Sequence, residues 1–72
     1  MTRQETIDLM VKKANNLYKN GWTRDGEDEI WDICTDFNRT NEEDEIFMCG
    51  HASEETGLVN GFYIEDDFWE FI

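Results

Sequence analysis

The sequence has no proline, one histidine, two cysteines and only six basic residues among 72. Each shortage removes a class of protein. Structural zinc needs paired ligands at short spacing, and Cys34, Cys49 and His51 offer no such pair. Two cysteines are too few for the disulfide framework of a small secreted domain, so they read as reduced, small, buried apolar residues. Cys49 and His51 lie two apart and share a face of any strand, but nothing supplies the third group that orients a catalytic base. No phosphate-binding glycine loop and no Gly-x-Ser-x-Gly elbow is present. The acidic loops Asp25–Glu29 and Asn41–Glu45 lack the ligand order and central glycine of a calcium-binding EF-hand. Catalysis, a metal centre and a cofactor are therefore not expected. No apolar run approaches the ~20 residues of a membrane span. The opening MTRQETIDLM has no apolar signal core, which predicts a cytoplasmic chain.

What the chain does have is acid. Eighteen aspartates and glutamates give a net charge of −12. The charge is divided unevenly. Residues 1–24 hold five basic and two acidic side chains, and residues 25–72 hold Arg39 alone against sixteen carboxylates. Such a surface repels phosphates and anionic membranes, so neither nucleic acid nor a lipid surface is expected as a direct partner. Trp, Phe, Tyr and Ile interrupt the carboxylates, and 14% of residues are aromatic. Disordered acidic tails lack such residues, so the charge sits on a fold. At this length the fold is one domain with a small core.

Residues 2–20 read as an amphipathic helix, with Ile7, Met10, Val11, Ala14, Leu17 and Tyr18 on one face. Thr2 and Glu5 have capping-box spacing, and Asn20-Gly21 is a natural stop. Glu27–Phe37 fits two patterns. As a helix, Ile30, Ile33, Cys34 and Phe37 form a stripe; as a strand, Trp31, Ile33, Thr35 and Phe37 alternate with Asp28, Asp32 and Asp36. The β-branched and aromatic content favours the strand, and residues 38–41 then read as a turn. Glu45–Ala52 and Leu58–Ile64 read as strands joined by a polar hairpin loop, Ser53–Gly57. The tail from Asp66 carries Phe68, Trp69, Phe71 and Ile72, and suits a fourth strand, a helical turn or an apolar anchor. The predicted fold is α+β, one N-terminal helix on an antiparallel sheet of three or four strands. Asp28, Asp32 and Asp36 would line the sheet's free face. The thin core and apolar C-terminus also predict a homodimer.

Three acidic groups are the candidate partner-binding residues. They are the row Asp28, Asp32 and Asp36; the run Glu42, Glu43, Asp44 and Glu45; and the run Glu65, Asp66 and Asp67. Solubility alone requires a charge of roughly 2–8 for a small domain, and self-repulsion at −12 costs folding stability. Salt adaptation is a second simple explanation. The sharper one is mimicry: a fixed array of carboxylates occupies a Lys/Arg groove built for phosphates.

The stretches DGEDEIWD, NEEDEI and IEDDFWEF, the short chain and the missing catalytic set resemble the phage-encoded DNA-mimic inhibitors, and most of all the small acidic inhibitors of the bacterial nucleoid protein HU. The resemblance implies a cytoplasmic homodimer that covers the DNA-binding surface of an HU-like basic protein in a host bacterium and competes with DNA at the nucleoid. An alternative is a module that docks its aromatic C-terminus on another host protein, such as RNA polymerase or a restriction, CRISPR or repair enzyme.

Overall fold

The computed structural model describes residues 1–71; Ile72, one of the tail's four apolar residues, lies outside them. The order is α1 (Arg3–Asn20), α2 (Arg24–Thr40), a single 3-10 turn (Glu42–Asp44), and the strands β1 (Met48–Ala52), β2 (Val59–Ile64) and β3 (Asp67–Glu70). The strands form an antiparallel meander in the order β1-β2-β3. The fold is α+β as the sequence predicts, with a second helix where the first of the expected strands would lie.

α1 begins with the expected capping box. The Thr2 hydroxyl accepts from the Glu5 amide at 3.1 Å, and the Glu5 carboxylate accepts from the Thr2 amide at 2.9 Å. Hydrogen bonds to the Glu5 carboxylate, first from the Thr2 amide and then from the Thr2 hydroxyl, hold that carboxyl below its ordinary pKa. Gly21 ends the helix at φ +95°, a conformation a Cβ would strain. Met10 and Ala14 are buried, and Ile7, Val11 and Leu17 pack beside them. Tyr18, expected on the buried face, is 61% exposed. Leu17 takes the contact instead, over Gly26 of α2, where a Cβ would lie only 2.6 Å from its Cδ1.

The strand expectation for Glu27–Phe37 is overturned. Thr23 caps α2 by accepting from the Gly26 amide at 3.1 Å. Asp25 and Glu27 occupy the first turn and Arg39 the last, as the helix dipole favours. Ile30 and Cys34 are fully or nearly buried, and Ile33 and Phe37 pack against the same core. The 3.6-residue stripe therefore prevails over β propensity, because only the helix turns all four apolar side chains towards α1 and the sheet. α2 also absorbs residues 38–40 of the expected turn.

The sheet closes the core. Phe62 and Ile64 of β2 and Trp69 of β3 face the helices, with Phe62 stacked on Trp69 at 5.6 Å between centroids. The Trp69 indole donates to Asn15 Oδ1 at 3.0 Å. The aromatic tail is thus a strand whose Trp69 is buried, while Phe71 packs on the core edge. The loop Ser53–Gly57 connects β1 to β2 as predicted, closed by Ser53 N–H to the Leu58 carbonyl at 2.9 Å. Cys34 is buried, where desolvation raises its thiol pKa, but Cys49 is exposed rather than buried.

Between the 3-10 turn and β1, residues 45–47 cross without secondary structure, so the expected strand Glu45–Ala52 begins only at Met48, and one side chain secures the crossing. Asn38 accepts from the Ile46 amide at 2.8 Å and donates to the Ile46 carbonyl at 3.0 Å, taking the place of a neighbouring strand. Replacing Asn38 with Ala leaves the buried Ile46 amide without a protein partner and its carbonyl with only the Cys34 thiol, a weak donor, at 3.5 Å. Urea unfolding is expected to show a loss of about 1–3 kcal/mol. A loss below about 0.5 kcal/mol would show that water replaces the amide freely.

Candidate functional site: an acidic helix and a clasped cluster

Asp28, Asp32 and Asp36 lie on α2 and are exposed. They do not line the free face of the sheet, which carries Cys49, Tyr63 and Phe68 instead. The row nevertheless survives the change of secondary structure. A spacing of four residues keeps side chains on one strand face about 13 Å apart. On a helix the same spacing keeps them on one face about 6 Å apart. The helix therefore doubles the density of the row. Asp25 and Glu29 are also exposed, and Glu27 is half-buried. Six carboxylates lie along a helix of 17 residues, about 25 Å. That is one per about 4 Å, against 3.4 Å per phosphate on one strand of duplex DNA.

Some of this charge is balanced within the molecule. Lys13 of α1 lies 3.8 Å from Glu29, and Arg39 lies 3.7 Å from Asp36. Both pairs are largely exposed and contribute little to stability. Among the described residues Asp25, Asp28 and Asp32 form no ion pair.

The other two acidic groups form one cluster. The 3-10 turn with Glu42, Glu43 and Asp44, followed by Glu45, lies at the C-terminal end of α2, and all four side chains are exposed. Glu65 and Asp66 make the two-residue loop between β2 and β3, and Asp67 opens β3. Arg3 joins them. Its guanidinium donates to the Asp44 carbonyl at 3.2 Å and the Glu45 carbonyl at 3.1 Å. It also sits 3.3 Å from the Asp44 carboxylate and grips that of Glu65. Glu65 has φ +52°, a left-handed conformation costly for a residue with a Cβ. Its amide donates to the Phe47 carbonyl at 2.9 Å, so both ends of the residue are held. A base from the cationic first third thus assembles the acidic surface.

Sequence reasoning missed this clasp, since Arg3 and its partners are more than forty residues apart. The only signal was an isolated Arg beside a helix cap. The Cys49/His51 pair has a different partner from the one its spacing suggested. His51 Nδ1 lies 2.7 Å from Asn60 Oδ1, and the ring packs against Phe68 at 5.1 Å between centroids. No group of three potential metal ligands converges among the described residues.

No protein-family model, curated protein or solved structure matches the chain.

Arg3→Ala is expected to lower stability by about 1–2 kcal/mol, since charged hydrogen bonds to two carbonyls are lost at a partly exposed site. Arg3→Lys restores only part, because an ammonium cannot span the same acceptors. Urea unfolding measures the loss, and faster amide exchange at Glu65 and Ile46 locates it. An unchanged midpoint would mean that the two acidic loops hold their places without the clasp.

Proposed function

We infer that this chain is a non-enzymatic DNA mimic, which binds a basic host DNA-binding protein and competes with DNA for it. The observation that carries the reading is the acidic helix, which holds six carboxylates at an average of one per about 4 Å of axis, near the phosphate density of one DNA strand. The clasped cluster Glu42–Glu45 with Glu65, Asp66 and Asp67 extends the array. An HU-like nucleoid protein is the first candidate. Proteins of that architectural kind bind DNA with little base readout, so charge and shape suffice to compete. The resemblance to phage inhibitors of HU points the same way, and would place the chain in the bacterial cytoplasm, at the nucleoid through its target. No helix among the described residues is long and apolar enough to cross a membrane.

Two other readings draw less support. Docking through the aromatic C-terminus on another host protein would rely on residues of which Trp69 is 8% exposed and Phe71 packs on the core, leaving Phe68 as the exposed ring. Solubility or salt adaptation leaves the row Asp28, Asp32 and Asp36 on one face of α2 without a role.

Competition between this chain and a labelled duplex for purified HU tests the proposal, read by fluorescence anisotropy over a range of salt. Duplex release is expected, with affinity falling steeply as salt rises. Asp28→Asn, Asp32→Asn and Asp36→Asn are each expected to weaken binding about two- to fivefold. Each should also flatten the plot of log affinity against log salt by about one unit. Complete loss from one substitution would point to a single buried contact, and binding that survives at ~1 M salt would point to apolar docking.

A further inference from the structure

We propose that the groove between α2 and residues 46–48 receives an apolar side chain of the basic partner, one flanked by lysines or arginines that meet the carboxylates around it. The inference rests on the reading of the acidic surface as a partner-binding array. It adds what that array lacks, a contact that does not depend on charge.

Most aromatic side chains of this molecule have a structural place. Phe62 and Trp69 are buried, Phe37 and Phe71 pack against the core, and Tyr63 and Phe68 pack on each other across the free face of the sheet. Trp31 and Phe47 have no such place. Trp31 is half-buried and Phe47 is 54% exposed. Among the described residues neither packs against the core nor pairs with another ring. The indoles of Trp22 and Trp69 donate to Glu27 and Asn15, whereas that of Trp31 donates to no protein group among the described residues. Trp31 and Phe47 instead line one open groove of about 370 Å³, with half-buried Met48 beside them. An apolar cavity of about 150 Å³ holds benzene, so the groove has room for a leucine, methionine or phenylalanine side chain.

The lining carries one charged residue, Glu45, and no basic one. Asp28 stands one turn before Trp31 on α2 and Asp32 stands next to it; both are exposed. The groove is therefore an uncharged slot along one flank of the acidic row. Charge decides what fits it. A wholly apolar partner would strip water from Asp28, Asp32 and Glu45 and return nothing. A second copy would set those carboxylates against their own counterparts, at −12 on each chain. A basic surface meets the carboxylates, and an apolar side chain standing among its lysines or arginines fills the slot. Anchors of that kind, enclosed by polar contacts, carry most of the affinity of many interfaces. The groove also discriminates. Charge attracts any basic protein, whereas the slot favours one that presents a side chain in register.

Competition with a labelled duplex for purified HU separates the groove from the charge. Trp31→Ala and Phe47→Ala are each expected to weaken competition about ten- to hundredfold. The slope of log affinity against log salt should stay unchanged, because neither removes a carboxylate. Thr35→Trp sets a ring into the groove from an exposed position of α2, and should cost about tenfold with Trp31 still in place. Leu58→Ala removes a side chain that is 70% exposed outside the groove, and should change nothing. Thermal midpoints identify any variant that fails to fold. In the ¹⁵N spectrum of the wild-type chain, HU should shift the Trp31 indole signal, assigned by its loss in Trp31→Phe, and leave that of buried Trp69 in place. Folded groove variants that compete within about twofold of wild type would overturn the proposal. So would an unmoved Trp31 signal, or a loss that comes with a flatter salt slope. Should the wild-type chain release no duplex, the mimic reading falls and the groove with it; should it compete and the groove variants match it, the groove alone falls.

Discussion

Everything in this molecule depends on packing α1 against α2. Met10 and Ala14 on one helix, with Ile30 and Cys34 on the other, make half of the small set of buried apolar side chains. The sheet adds Phe62, Ile64 and Trp69, and Ile46 enters from the connecting segment. Against this small core stands a charge of −12, whose self-repulsion favours expansion. The design tolerates that load by separating the two. Carboxylates occupy the outward arc of α2, the 3-10 turn and the hairpin tips, and the core side of each element is apolar.

The basic residues of α1 have two roles in this arrangement. Lys13 approaches α2 beside Glu29 and relieves repulsion among the carboxylates of that helix. Arg3 reaches the far end and gathers Asp44, Glu45 and Glu65. The uneven charge distribution along the chain therefore becomes a layered one in space, with α1 supplying internal counterions. A surface so anchored keeps its carboxylates at set distances. A flexible acidic tail must be ordered on binding, at an entropic cost that a rigid array avoids.

Much of this was legible in the sequence because the signals were local. The α1 cap, its glycine stop, the β1–β2 hairpin and the apolar β2 are all determined within a few residues. Glu27–Phe37 was not, because its β-branched and aromatic residues suit a strand, and the deciding event is burial of Ile30 and Cys34 against α1, which lies elsewhere in the chain. The grouping of Asp28, Asp32 and Asp36 was recovered despite that error, since a four-residue interval preserves a face in both structures. The Arg3 clasp and the Asn38 bridge were invisible for a simple reason: each is a single polar side chain held largely by backbone groups, which leave no trace in composition or periodicity, and the two carboxylates that Arg3 also meets lie more than forty residues away.

The clasp has a practical consequence for handling the protein. Arg3 is the first residue of α1, and its guanidinium lies among the acidic loops, so the polypeptide enters the fold beside that cluster. An affinity tag fused ahead of Met1 would emerge next to Asp44 and Glu65. A hexahistidine tag would place imidazoles there, and their protonation below neutral pH would supply counterions that mask the surface under study. A cleavable tag, removed before binding is assayed, keeps that end of the molecule as it is.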